Sequence, residues 1–229
     1  PASSEESLQG KCWCSGNNGS TTVGSSYPIT YPDSSDKIDG SQSVCLESRY
    51  VIVKFAAGNL FAGRFGETIG TSGGTVYFGR PFTARPTALR LWCKYSGGAI
   101  NRYQDNAPSE VKKGDYDKAS LRIALGTWDY KTYGGDANSP ILVNTTDVST
   151  FVDFTTDPST IAFGEKILVS DEANSTNVWQ QITIPLEYRN LNKYPTHIMI
   201  SFAASMYGDY FTGCDSSKLW IDAVELLYE

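Results

Sequence analysis

The stretch Leu89-Arg90-Leu91-Trp92-Cys93-Lys94-Tyr95 changes character at every residue, a period that only an extended strand sorts onto two faces. The same period runs through 121–128, with Leu121, Ile123 and Leu125 on one side. It returns in 196–204, with Ile198, Ile200 and Phe202 on one side. Helical periodicity is nowhere sustained for three turns. Strand character marks 49–57, 74–78, 88–95, 119–128, 178–188, 196–204 and 218–228, with further short strands expected near Thr21 and Ile141. Turn residues separate these segments at sandwich-like spacing, and GTSGG at 70–74 is such a turn. The expectation is an all-β chain of two antiparallel sheets, with the apolar rows of the three alternating segments packed between them.

Composition agrees. The 21 Gly, 14 Tyr and 5 Trp suit turns and pleated surfaces, and 40% hydrophobic residues are enough for a real core. Residues 1–9 read as a solvated lead-in or linker, and 10–229 as one domain. The Ser-rich stretch 15–43 is expected to be loop, with its Tyr residues packing down. A net charge of −6 without a Lys/Arg cluster argues against a nucleic-acid partner. No apolar run approaches the roughly 18 residues of a membrane-spanning helix. The chain begins at Pro1 with no leader pattern, as expected of an exported chain whose signal has been removed.

The five cysteines, at 12, 14, 45, 93 and 214, leave at least one unpaired. One C-x-C and the single His197 fall short of the two ligand pairs of a zinc site, so buried free thiols are expected.

The C-terminal segment 218–228 separates into Leu219, Ile221, Ala223 and Leu227 on one face and Trp220, Asp222, Val224, Leu226 and Tyr228 on the other. Both faces are largely apolar, so both should be covered, and Asp222 then needs a donor or a cation. The outer faces of the three alternating segments carry Arg90, Trp92 and Lys94, then Arg122, Ala124, Gly126 and Trp128, then His197, Met199, Ser201 and Ala203. If these strands are neighbours, they form one surface of flat aromatics, fork-like donors and small residues, which suits a pyranose ring and its hydroxyls. The competing reading has a loop, the Ser-rich stretch 15–43, lying over Trp92 with cation–π contacts beneath it.

Catalytic constellations are weak. Glu47, Asp115, Asp117, Asp129 and Glu187 stand near strand ends, where solvation accounts for acidic residues. His197 follows Pro195-Thr196 at a strand start, and no G-x-S-x-G leads into a helix.

The segments WCSGN (13–17), AAGNLFAGRF (56–65), FGRPFTARPTALRLWCKY (78–95), WQQITIPLEY (179–188) and YGDYFTGCDSSKLWIDAVELLY (207–228) occur in that order. Together they resemble the putative carbohydrate metabolism domain of exported Bacteroidetes proteins. The resemblance implies a jelly-roll β-sandwich similar to carbohydrate-binding modules and galactose-binding-like domains. It implies a glycan-binding domain, with Arg90, Trp92, Lys94, Arg122 and His197 as the expected ligand surface and an oligo- or polysaccharide as partner. It further implies a surface or periplasmic location, as an outer-membrane lipoprotein whose lipid anchor lies outside this chain. The alternatives are a glycoside hydrolase on the same sandwich and a structural or adhesive domain. No cofactor is implied beyond a structural calcium, which the Asp222 position holds against the N-terminal strand in similar modules; backbone N–H donors are the other expected partner for that carboxylate.

Overall fold

Period-two alternation becomes two packed sheets in the computed structural model, which describes residues 12–22, 28–51, 54–170 and 177–228. The expected lead-in at 1–9 lies outside the described residues. In chain order the strands begin with β1 (Trp13–Cys14), β2 (Thr30–Asp33), β3 (Ser43–Glu47), β4 (Arg49–Val51) and β5 (Lys54–Ala56). Next come β6 (Asn59–Ile69), β7 (Gly73–Phe78), β8 (Arg80–Pro81), β9 (Ala88–Ser96), β10 (Lys118–Gly126) and β11 (Ile141–Asn144). The series closes with β12 (Thr160–Val169), β13 (Gln180–Pro185), β14 (Glu187–Tyr188), β15 (His197–Ala203) and β16 (Lys218–Leu227). Two short helices, α1 (Asn17–Thr22) and α2 (Tyr130–Tyr133), sit in the connections.

One sheet has nine strands, in the order β11-β7-β6-β15-β10-β12-β14, with β1 added on β6 and β8 on β15. The other has five, β13-β9-β16-β3-β2, and β4-β5 form a separate hairpin. Every pairing is antiparallel, and the whole is a jelly-roll β-sandwich. Leu89, Leu91, Leu121, Ile123, Ile198, Ile200 and Phe202 all lie in the core between the sheets, while Trp92 points out of it. Each such side chain contributes roughly 1.5–3 kcal/mol on full burial, which fixes the register because a one-residue slip would expose the whole row.

Several local expectations are corrected. Thr21 lies in α1, not a strand. The segment 49–57 is a hairpin, with Arg49↔Ala56 and Val51↔Lys54 facing each other. The Ser-rich stretch is not all loop: Ile29 and Thr30 are buried, and β2 extends the five-stranded sheet. Strands β6 and β12 escape the alternation test because Gly63, Gly66 and Gly164 interrupt their apolar rows. The carbonyl oxygens of Pro185 and Tyr77 lie where a Cβ on Gly164 or Gly63, respectively, would stand, so these glycines mark close backbone approach.

The last strand also departs from simple alternation. The pairing of β16 with β9 shifts between Asp222 and Glu225, and Ala223 takes φ 47°. This β-bulge adds a residue and reverses the faces beyond it. Val224 and Leu226, assigned by simple period two to the face of Trp220 and Asp222, instead pack on the core, and Glu225 points out.

The outer face of the nine-stranded sheet is covered at one end. Trp128, only 2% exposed, joins Ala124, Ile141, Val143 and Met199 in a second apolar cluster under Phe151, Val152 and Phe154. Its Nε1 donates to Asp157 Oδ1 at 3.1 Å, and Tyr133 Oη donates to Asp157 Oδ2 at 2.6 Å. A Cβ on Gly126 would lie 2.5 Å from the Trp128 ring. The space left by Ala124 and Gly126 is therefore taken by Trp128, not left open for a ligand. The uncovered end, over β6, β15 and the first half of β10, is where a concavity forms.

Candidate functional site

The five residues expected to make one surface fall on opposite sides of the molecule. Arg122 and His197 belong to neighbouring β10 and β15 of the nine-stranded sheet, but β9 lies in the five-stranded sheet. Arg90, Trp92 and Lys94 therefore face away from Arg122 and His197 across the sandwich. Alternation places a residue inside or outside; it carries no information about which sheet its strand joins.

On the five-stranded side a loop crosses the face. Lys94 is ion-paired with Asp36 and stands 4.1 Å from the Trp220 ring centroid. Trp179 Nε1 donates to Asp36 Oδ1 at 2.6 Å, and Trp220 Nε1 to Asp33 Oδ2 at 3.0 Å. Asp222 holds the same loop: its Oδ2 accepts the N–H groups of Ile38 (2.7 Å) and Asp39 (3.0 Å), and its Oδ1 accepts that of Ala223 (2.8 Å). Donors, rather than oxygen ligands, surround this carboxylate. Among the described residues no group of three or more His, Cys, Asp or Glu side chains is placed to hold a metal. Among the described residues, Asp222 staples this loop to the last strand through hydrogen bonds. Arg90 pairs with Glu225 at 2.6 Å, and Trp92 stays partly exposed between Gln181 and Asp222.

His197 is likewise engaged locally. Its Nε2 donates to the Ala137 carbonyl at 3.0 Å, and its Nδ1 lies 2.9 Å from Thr196 Oγ1. It ties the start of β15 to the 136–139 turn. Of the acidic residues near strand ends, Asp117 is fully buried, against expectation. Its Oδ2 accepts Ser205 Oγ (2.6 Å), Ser217 Oγ (2.8 Å) and Cys214 N–H (2.8 Å). Burial still holds its carboxyl above the ordinary range. Asp129 caps α2 by accepting from Lys131 N–H at 3.2 Å.

A concavity of about 200 Å³ lies on the outer face of the nine-stranded sheet. Register describes its floor. One cross-strand row runs Glu165–Arg122–Ser201–Phe61, and the next runs Ser120–Ala203–Asn59. Small side chains at Ser120, Ser201 and Ala203 make a trough. Arg122 bounds one side and Phe61 the other, two strand spacings apart, or about 10 Å. Phe61 is backed by Phe78, with ring centroids 5.1 Å apart at 86°, and by Phe65 and Val76. The hairpin β4-β5 and the 208–211 turn wall the groove. Lys54 spans its mouth, with Nζ 3.7 Å from the Phe211 ring centroid and hydrogen-bonded to the Ser72 carbonyl. Asp209 stands solvent-exposed at the rim. An apolar wall, a small-residue trough and hydroxyl, amide, carboxylate and guanidinium groups around it can take a ring with one apolar face and polar edges.

The family model described as "Putative carbohydrate metabolism domain" matches residues 2–227. The chain belongs to that family. No curated protein matches the domain. Solved structures share its fold. A putative glycoside hydrolase from Bacteroides thetaiotaomicron VPI-5482 matches with TM-score 0.70 and 22% identity over 95% of this chain. A putative glycoside hydrolase from Bacteroides vulgatus ATCC 8482 matches with TM-score 0.63 and 20% identity, also over 95%. The domain spans 63% of the first of these chains and 85% of the second. Likeness to a carbohydrate-binding module solved with β-1,4-galactotriose is slighter, with TM-score 0.36 and 9% identity over 95% of this chain and 87% of that one.

Of the residues that make the groove, the alternating rows named Arg122, Ser201 and Ala203 as outward. Phe61, Asn59 and Asp209 carry no periodic signal, since β6 is broken by glycine and Asp209 lies in a turn.

Proposed function

We propose that the domain binds a glycan in this groove. The observation that supports it most is the trough itself: Ser201 and Ala203 lie partly exposed, beside buried Ser120, between Phe61 and Arg122 on the outer face of the larger sheet. The family's carbohydrate description points the same way. The test is a glycan array on the isolated chain, followed by titration with Ala203→Trp, which fills the trough. Wild type should bind at least one oligosaccharide, and the variant should bind it more than tenfold more weakly with little change in Tm. Retained affinity in a folded Ala203→Trp protein would place the site elsewhere.

Hydrolysis is the second reading, favoured by Asp209, a carboxyl at the groove rim within reach of a bound ligand. A glycosidase also requires a second carboxylate about 5–9.5 Å away, and Asp209 is the one carboxylate among the described lining residues. Release of reducing sugar, abolished by Asp209→Asn, would establish it.

We further place the domain outside the cytoplasm, anchored through lipid on a segment beyond this chain. The thiols tolerate such a compartment. Cys14, Cys45, Cys93 and Cys214 are buried, and burial pushes Cys45 to about 11 and Cys93 to about 12, which suppresses the reactive thiolate. Cys12 is exposed, unlike the buried thiols expected.

A further inference from the structure

We infer that the sugar held in the groove carries an oxyanion, a uronate carboxylate or a sulfate ester, and that Arg122 receives it. The inference rests on the glycan-binding reading above. Arg122 is fixed by one edge: its Nε donates to Glu165 Oε1 at 2.5 Å, across the β10–β12 pair. Among the described residues its two terminal amino groups donate to no protein acceptor, while the side chain lines the groove. A guanidinium held through Nε presents a planar pair of N–H donors, which matches the two oxygens of a carboxylate or sulfate bidentately.

The charged lining residues are Lys54, Arg122 and Asp209, and Glu165 pairs with Arg122, so cations and acids balance. Attraction for an oxyanion is therefore local, at the outward edge of the guanidinium and at Lys54. Geometry sets where the groups would fall. A ring lying over Ser201 has Phe61 on one side and Arg122 on the other, each one strand away, so a substituent at the ring edge meets the guanidinium. Lys54 at the mouth supplies a second cation to a neighbouring residue of the chain.

The test is calorimetric titration of the chain with four probes. Tetragalacturonic acid is compared with its carboxyl-reduced counterpart, and a sulfated carrageenan tetrasaccharide with its desulfated form, each at low and high salt. The expected result is that one charged probe binds at least tenfold more tightly than its neutral partner, with the gap narrowing in salt. The gap should close in Arg122→Gln and shrink in Arg122→Lys, which keeps the charge but loses the fork. Equal binding of charged and neutral partners overturns the inference and leaves glycan binding intact. Binding of none of the four, with no hit on the glycan array, overturns both. A charge preference that persists in folded Arg122→Gln also overturns the assignment. The comparison on the unaltered protein stands whether or not either variant folds.

Discussion

Asp222 shows how a single side chain can join distant parts of the chain through backbone donors. Its carboxylate accepts three backbone N–H groups, two of them 184 and 183 residues away in sequence. Replacing it with Ala leaves those donors to water and frees the 33–39 loop. A loss of about 1–3 kcal/mol is expected, read as a lower Tm or denaturant midpoint. Excess chelator should leave the wild-type melt unchanged; a chelator-sensitive melt would restore the calcium reading. Trp92 belongs to the opposite side of the sandwich from the groove. Trp92→Ala should therefore cost about 1 kcal/mol of stability, for a partly buried ring, and leave glycan affinity in the groove unchanged. Weakened glycan binding in that variant would point to a ligand surface on the five-stranded sheet.

At the scale of elements, the bulge in β16 decides which side chains complete the core. Ala223 is exposed and sits at φ 47°, a conformation that costs an L-residue roughly 1–2 kcal/mol. Glycine adopts it without a Cβ clash, so Ala223→Gly is expected to stabilise the domain by about 0.5–1 kcal/mol and raise Tm. A lower Tm would mean that the left-handed backbone is not what the strand adopts. The bulge was not legible in the sequence, because Trp220-Ile221-Asp222-Ala223-Val224 alternates acceptably in either phase. The hairpin β4-β5 was hidden for a related reason. Strand-forming residues flank it on both sides, and 49–57 contains no Gly or Pro before Gly58 to announce a turn.

For the molecule as a whole, two sets of carboxylates oppose each other as pH falls. Asp33, which accepts from Ser35 and Trp220, is held at about 2, and hydrogen bonds or cations lower Asp36, Asp153 and Asp215 as well. Their contribution is present above the unfolded value of about 3.9 and is lost as pH drops through their lower native values. Asp117 works in reverse. Its raised carboxyl means that the native state binds a proton before the unfolded chain does, so its burden on stability is relieved as pH falls toward about 3.9. Stability should peak in mild acid and fall steeply below about pH 4, and Asp117→Asn should flatten the rise between neutral pH and that peak. A melting profile with no rise below neutrality would show that Asp117 is charged at little cost. The sequence alone determined the strand class and the core rows, since alternation is a local property and burial of a whole row outweighs any single misfit. It also named Asp222 as a group needing partners. Only the tertiary structure decided that β9 and β10 belong to different sheets, which split the expected surface into two. It also decided that Trp128 fills one end of the larger sheet and that Ser201 and Ala203 remain partly exposed at the other. Those outcomes depend on pairings between strands tens of residues apart, and strand–strand partnership is set by the summed fit of whole faces, which no local pattern encodes.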